Sequence, residues 1–253
     1  MFSNFLNQIS QMLLMLPAIL LSLSVHETAH GLVAYKLGDP TAKNLGRLSL
    51  NPIKHINLIG FLSMMFFGVG WANPVPINTR YFKNPRKGMA LTAAAGPISN
   101  LLLAIIFTLL LRIVMIPMQP AIDSAIMAGD FSGEELFSNM GFLLLAILAT
   151  ILYLGIFLNI NLMLFNLIPL PPLDGSRIAY IFLPTDLYFK IMKYERYIMI
   201  AFIVLLATNI ITVPLSTVNG YISDLLYKVT DMPTPYLYYS INGVLSRLPT
   251  FSL

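Results

Sequence analysis

The sequence predicts an all-α polytopic membrane protein with about four transmembrane helices and a re-entrant, β-hairpin-like segment between the first and the second. Two observations support this fold class. Hydrophobic residues make up 57% of the 253-residue chain and charged residues only 10%, whereas about 25% of residues are charged in an ordinary soluble domain. Four stretches are also apolar over the roughly 20 residues that a helix needs to cross a bilayer. We expect one integral-membrane domain over residues 1–253.

The four apolar stretches follow one another along the chain. The first runs from about Ile9 to Leu37; it has no basic leading segment and no small-residue cleavage site, so we expect it to be retained rather than removed as a signal peptide. The second lies between Lys87 and Arg112, the third between Glu135 and Asp174, and the fourth between Arg196 and Asp224. The tail, residues 217–253, is mildly amphipathic and rich in tyrosine, which predicts an interfacial position.

The segment from His55 to Arg80 is apolar but too interrupted to be an ordinary span. It is broken by Gly60, Gly68, Gly70, Pro74 and Pro76, and such a segment is better explained as a re-entrant hairpin than as a crossing. Within it, residues 71–78 predict an extended edge strand that receives unfolded substrate by strand addition through the amides of Asn73, Val75 and Ile77. A proline-rich interfacial turn is the alternative.

The distribution of charge predicts the orientation in the membrane. The connection between the first two spans holds one acid, Asp39, and many bases: Lys36, Lys43, Arg47, Lys54, Arg80, Lys83, Arg86 and Lys87. The next connection holds only acids, and the third again carries bases: Arg177, Lys190, Lys193 and Arg196. Because cytoplasmic loops collect Lys and Arg, we expect both termini outside, with the basic loops and the active site toward the cytoplasm.

The motif "HETAH" places three ionisable side chains inside the first span. His26 and His30 lie one helical turn apart on one face, with Glu27 beside them. Two imidazoles at that spacing can hold one zinc ion, and the glutamate can accept a proton from water as general base. The alternative is a pair of packed histidines with a nearby acid. Ionisable groups within a span are costly and usually functional, which favours the metal site.

A catalytic zinc needs a third protein ligand, and the chain has no cysteine, which leaves a carboxylate or His55. The expected depth of each residue favours Asp174, because it follows the inward-running third span and so lies on the same side as the motif histidines. Asp174 could instead cap the helix that begins with "GSRIAY". His55 could gate the site or support a ligand, or lie at the interface near the mouth of the hairpin.

The segment "NLIPLPPLDG", residues 166–175, carries no charge before its aspartate, and its prolines break the third helix. Irregular backbone at membrane depth is tolerated only where it is buried in protein or lines a wet cavity. In "GPISN", residues 96–100, small residues permit close helix packing, while Asn100 could instead act directly in the site.

Together, "HETAH", "GPISN" and "NLIPLPPLDG" make the chain resemble the site-2 protease family of intramembrane zinc metalloproteases over roughly residues 20–180. The resemblance implies that His26, His30 and Asp174 ligate one zinc ion and that Glu27 is the general base. It also implies that Asn166 positions the substrate or stabilises the oxyanion. The chain resembles the short members, because no segment is long or polar enough for a PDZ or nucleotide-sensing domain.

The function that this resemblance implies is hydrolysis of peptide bonds within or near transmembrane segments of membrane-anchored proteins, in regulated intramembrane proteolysis or in clearance of signal-peptide remnants. The expected partners are therefore transmembrane-helix substrates and the lipid bilayer, not nucleic acid. The alternative is a zinc-binding membrane transporter or scaffold without proteolytic activity. A transporter would need a polar pathway, and no inverted repeat is visible in the sequence.

Overall fold

The structure is a computed structural model. It describes residues 2–60, 72–129, 134–208 and 210–234, together with Leu237, Ile241 and Val244. The described residues are mostly helical, and no β-strand is present among them, which confirms a mainly α-helical fold. The helices are α1 (Phe2–Lys36), α2 (Thr41–Asn44), α3 (Pro85–Met115), α4 (Gln119–Met127), α5 (Glu134–Ser138), α6 (Met140–Leu167), α7 (Asp174–Ala179), α8 (Thr185–Lys193), α9 (Glu195–Ala207) and α10 (Thr212–Val229).

Three described helices are long and apolar enough to cross a membrane: Leu13–Lys36 within α1, Pro85–Met115 and Met140–Leu167. At about 1.5 Å per residue, each exceeds the roughly 30 Å of a hydrocarbon core. The first three predicted spans are therefore confirmed as apolar helices, and the chain is a multi-pass membrane protein. The fourth is not confirmed, because its stretch is divided between the 13-residue α9 and the 18-residue α10.

The predicted re-entrant hairpin lies largely outside the described residues, since residues 61–71 are not among them. The backbone on its two sides is described and meets in one antiparallel bridge between Ile56 and Ala72. Next to this bridge, the Asn73 amide donates to the carbonyl of His55 at 2.7 Å. The hairpin itself is not confirmed. The predicted interfacial tail is described only in part, and its first residues belong to α10.

The chain divides into two compact units. The first consists of Met1–Ile19, Ala104–Leu158 and Ile222–Leu253, and its buried residues are almost all apolar, with Leu111, Met115, Met118 and Ile122 fully enclosed.

The second unit consists of Leu20–Leu103 and Asn159–Tyr221. Its interior is polar, with eleven buried polar or charged side chains among the described residues: Ser22, Ser24, His26, His30, Asp39, His55, Thr92, Asn100, Asn159, Ser176 and Asn219. Buried polar groups need hydrogen-bond partners, and this unit contains every predicted site residue.

Candidate metal centre

The two motif histidines lie on one buried face of α1. Each is 7% exposed, and their ring centroids are 4.6 Å apart at nearly a right angle. Their Nε2 atoms approach to 3.0 Å. The spacing of four residues along a helix accounts for this proximity, because side chains at i and i+4 are stacked one above the other.

Helix α3 accepts a hydrogen bond from the other nitrogen of each ring. His26 Nδ1 lies 2.6 Å from Asn100 Oδ1, and His30 Nδ1 lies 2.7 Å from the backbone oxygen of Thr92. Both partners are acceptors, so each neutral imidazole carries its proton on Nδ1 and a lone pair on Nε2. The hydrogen-bond network thus assigns the tautomer in which both Nε2 atoms can bind a metal ion.

Asp174 is brought to the histidines by the proline turn that ends α6. Pro169, Pro171 and Pro172 cannot donate to a helical ladder, and α7 begins directly at Asp174. An added Cβ at Gly175 would lie 2.4 Å or less from the carbonyl oxygens of Leu167 and Ile168, so only glycine permits this close return of the chain.

The alternative role of Asp174 as a helix cap is not observed. The N-cap residue of α7 is Leu173, and no side chain caps this helix end. Asp174 Oδ2 lies instead 3.3 Å from His26 Nε2 and 3.1 Å from His30 Nε2. The structure therefore brings together the three residues that the sequence predicts as metal ligands.

These three atoms fit a bound cation. With both Nδ1 atoms protonated, the two Nε2 lone pairs and a carboxylate oxygen face one another, an arrangement that is repulsive unless a positive charge lies between them. Ligands about 2.0–2.1 Å from a tetrahedral zinc are separated by about 3.3–3.4 Å, close to the 3.0–3.3 Å found here. His26, His30 and Asp174 also form the only such group of ligating side chains among the described residues.

Gly96 allows α3 to lie directly against the two imidazoles. A Cβ placed on this residue would be 2.5 Å from His26 Cε1 and 2.5 Å from His30 Nε2, which is closer than real Cβ contacts. Thr92, Gly96 and Asn100 are spaced by four residues and share one face of α3. On this face, the Thr92 carbonyl accepts from His30, Gly96 leaves room for both rings, and the Asn100 side chain accepts from His26. The close packing expected for "GPISN" is therefore observed, and Asn100 contacts His26; a direct role for Asn100 in the site stays a prediction.

Glu27 lies beside the cluster and is not one of its three ligating residues. Its Oε2 accepts a 2.9 Å hydrogen bond from the backbone N–H of Val75. This contact orients the carboxylate from outside α1, because Val75 belongs to the extended segment that precedes α3. The sequence contained no signal for this contact, since any residue except proline could supply the N–H.

The segment at residues 73–78 is held by the protein on several sides. Arg47 Nη2 donates to the carbonyl of Asn73 at 2.7 Å, and the Asn78 amide donates to Asp39 Oδ2 at 2.7 Å. Asp39, counted above only as a charge, is fully buried and also accepts from the Thr41 amide.

These contacts correct the predicted edge strand. The amides of Asn73 and Val75, expected to be free for a substrate, donate to the carbonyl of His55 and to Glu27. Two of the three predicted donors of this edge are therefore bonded within the protein.

A cleft of about 170 Å³ opens at the cluster. Its walls include Glu27, Val75, Asn166 and Arg177. Asn166 donates one amide hydrogen to the carbonyl of Leu162, one turn earlier in α6. Arg177, which sequence analysis counted only among the loop bases, lies one turn after Asp174 and therefore on the same side of α7.

His55 is not part of the cluster. It is 1% exposed, and its Nε2 donates to the Ser49 carbonyl at 2.7 Å. The Thr28 hydroxyl donates to the same carbonyl, so His55 helps to fasten the loop to α1. The ring is buried within the loop, and its position at the membrane interface stays a prediction.

An aromatic stack follows the helix that begins with Asp174. Tyr180 stacks on Tyr188 with ring centroids 3.8 Å apart, and the Arg86 guanidinium lies 4.9 Å from the Tyr180 ring centroid. Burial raises the pKa of the Tyr188 hydroxyl above its ordinary value, so this hydroxyl is uncharged at neutral pH. These contacts connect the start of α3 to the end of α7 and restrain the segment that carries Asp174.

The fold and the site together define a class: a multi-pass membrane protein with an H-E-x-x-H metal centre completed by an aspartate beyond a third apolar helix. The sequence model of peptidase family M50 matches residues 14–206, and the chain belongs to this family. The predicted family is thereby confirmed, and with it the class of enzyme, a peptidase.

Relatives with known names agree with this membership. The chain is 41% identical to the "Putative zinc metalloprotease YwhC" of Bacillus subtilis over 190 residues, which cover 75% of this chain and 78% of that protein. It is 26% identical to the "Putative zinc metalloprotease Rip2" of Mycolicibacterium smegmatis over 67% of this chain and 57% of that protein. It is 25% identical to the protein of the same name from Mycobacterium tuberculosis H37Rv, over 84% of this chain and 71% of that protein. No solved structure matches the chain significantly.

Proposed function

We propose that this chain is a zinc-dependent intramembrane endopeptidase. It hydrolyses peptide bonds within or near transmembrane segments of membrane-anchored proteins, in regulated intramembrane proteolysis or in clearance of signal-peptide remnants. The observation that carries this proposal is the convergence of His26, His30 and Asp174 beside an oriented Glu27, with both histidines inside an apolar helix. Ionisable groups at such a depth are expensive and mark a functional site.

In this proposal each residue has one task. His26, His30 and Asp174 hold the zinc ion, which supplies Lewis acidity for water and for the scissile carbonyl. Glu27 takes a proton from the attacking water and later delivers it to the leaving amine. The Val75 amide keeps Oε2 of Glu27 engaged at 2.9 Å. The second amide hydrogen of Asn166, which lines the cleft, stabilises the oxygen that becomes negative.

The burial of the metal centre supports a locally unwound substrate. His26 and His30 are each only 7% exposed. An intact helix is about 10–12 Å across with its side chains, and its backbone carbonyls lie inside that cylinder, so a scissile carbonyl reaches the buried ligands only where the helix has opened. We therefore propose that the substrate enters as extended chain, after its own helix has opened at the cleavage point.

We further propose the orientation that the loop charges predict. The bases of the connection before α3 face the cytoplasm, as does the metal centre, and the acidic connection between α3 and α6 faces outside. We assign the fourth crossing to α9 and α10 together, which places both ends of this chain outside.

The test of the function is cleavage of a synthetic transmembrane peptide by the purified chain in detergent or bilayer discs. We expect hydrolysis that stops with a zinc chelator and returns when zinc is added back. Metal analysis should find about one zinc per chain, as a single three-ligand site implies. Asp174→Ala should lose both zinc and activity, and retention of both would contradict the assigned ligands. A chain that binds zinc without cleaving any peptide would favour the non-proteolytic alternative.

A further inference from the structure

A line of three fully buried polar side chains runs from His26 into the interior of the second unit. Asn100 accepts from His26 Nδ1 at 2.6 Å and donates from its Nδ2 to Asn159 Oδ1 at 2.9 Å. Asn159 in turn donates from its Nδ2 to Ser22 Oγ at 2.8 Å. Asn100, Asn159 and Ser22 are each 0% exposed. We call these three residues the amide relay.

The two histidines are anchored by groups of different kinds. His30 Nδ1 meets a backbone carbonyl, that of Thr92, which can only accept. His26 Nδ1 meets a carboxamide, which can present either its oxygen or its NH₂ group. If Asn100 were turned over, its NH₂ would face His26 and favour the tautomer with the proton on Nε2, the nitrogen that faces Asp174.

The orientation of Asn100 depends on Asn159, whose own orientation is set by the hydrogen bond that its Nδ2 donates to Ser22 Oγ. The Oδ1 atom of Asn159 is an acceptor and therefore requires the NH₂ end of Asn100. A turned-over Asn100 would set two oxygens against each other in a buried site, where an unsatisfied polar group costs about 1–3 kcal/mol.

We propose that Asn159 is a positioning residue of the metal centre. It acts through Asn100 to hold His26 in the tautomer whose Nε2 lone pair faces Asp174, before any ion is bound. Asn159 lies on α6 and is not among the residues that line the cleft. This inference rests on the ligand set proposed above. It gives α6 a role in orienting the metal ligands before an ion binds.

The test is a double-mutant cycle read by zinc affinity, measured by chelator competition on the purified full chain. Asn159→Leu removes the acceptor for Asn100 and should weaken zinc binding by about 10–100-fold, the usual effect of losing an outer partner of a metal-binding histidine. Asn100→Asp removes the need for the relay, because a carboxylate has no donor end and accepts from His26 in either orientation. In the Asn100→Asp background, Asn159→Leu should therefore change zinc affinity by less than about threefold.

A packing role for Asn159 gives a different result. The same loss of zinc affinity from Asn159→Leu in both backgrounds would overturn the proposal, as would no loss in either. Thr150→Val is the matched control: Thr150 is also a fully buried polar residue of α6, but its hydroxyl donates within its own helix. It should bind zinc as the unmodified chain does. If Asn159→Leu does not fold, Asn159→Ala replaces it in the same cycle.

The readout separates this proposal from the function. Failure of the unmodified chain to bind zinc would remove the ligand set and the relay together. Normal zinc binding that depends on Asp174 but not on Asn159 would remove the relay alone, whether or not a peptide is cleaved.

Discussion

The missing side chain at Gly96 determines how closely α3 approaches the imidazoles of α1. Any Cβ at this position would come within 2.5 Å of ring atoms in both histidines, and neither ring can move without losing its acceptor on α3. We predict that Gly96→Ala lowers zinc affinity at least about tenfold, comparable to the loss of an outer hydrogen bond. Zinc content and chelator competition measure this directly.

The matched control for Gly96 is Gly220→Ala in α10, where an added Cβ meets nothing within 4 Å. It should leave zinc binding unchanged and stabilise its helix slightly, because alanine is the better helix former. Equal zinc affinities for both alanine variants would show that the close approach at Gly96 does not matter.

Glu27 is predicted to be the general base rather than a ligand. Glu27→Gln keeps an oxygen that can accept from the Val75 amide, so the local structure and the zinc ion should be retained, but the amide cannot take up a proton. Cleavage should fall by at least about 10²–10⁴-fold, the usual contribution of a general base. Rates should be compared at matched zinc occupancy. An undiminished cleavage rate would exclude this role for Glu27.

The extended segment before α3 acts as one element, because its backbone is bonded to Glu27, Arg47 and Asp39. We predict that Val75→Pro, which removes the N–H that Glu27 accepts, lowers the rate of cleavage and leaves zinc bound. A hydrogen bond to a charged group is typically worth about 1.5–3 kcal/mol. If the orientation of Glu27 is lost in full, this corresponds to a cleavage rate roughly 10–100-fold lower.

Val75→Ala is the control for this element, since it shortens the buried side chain but keeps the amide. If the alanine and proline variants were equally slow, packing of the 6%-exposed Val75 side chain, rather than its N–H, would be the cause.

At the scale of the whole molecule, the native chain has no cysteine, so its orientation can be read from single cysteines without background. Lys83 and Met127 are both exposed and lie in the basic and acidic connections. We predict that a membrane-impermeant thiol reagent added to intact cells labels Met127→Cys and not Lys83→Cys. The reverse pattern would invert the proposed topology.

The same experiment counts the crossings. Val229, at the end of α10, is 77% exposed, and with four crossings Val229→Cys should be labelled from outside together with Met127→Cys. Protection of Val229→Cys until the cells are opened would limit the chain to three crossings. It would then assign α9 and α10 to one side of the membrane.

The class of fold and the identities of the central side chains follow from local features of the sequence. An apolar stretch of about 20 residues predicts a membrane helix, because a helix of that length is needed to cross the hydrocarbon core. The i,i+4 spacing of His26 and His30 puts both rings on one face wherever the helix lies. Asp174 was predicted from its expected depth, and the prolines before it marked the break that delivers it. Asn159 had a weaker signal, because it is one of three asparagines in the uncharged helix α6, together with Asn161 and Asn166, and the sequence does not distinguish which of them meets Asn100.

The contacts that prepare the site depended on tertiary structure. His26 meets Asn100 across 74 residues of sequence, His30 meets the Thr92 carbonyl across 62, and Glu27 meets the Val75 amide across 48. Two of these partners are backbone groups. Every residue has a carbonyl and every residue except proline has an N–H, so the sequence does not indicate which of them makes the contact. Which backbone carbonyl meets His30, and which N–H meets Glu27, is decided only by the packing of α3 and its preceding segment against α1. The sequence therefore specified the side chains that converge at the site, whereas the histidine tautomers and the orientation of Glu27 were decided by how the helices pack.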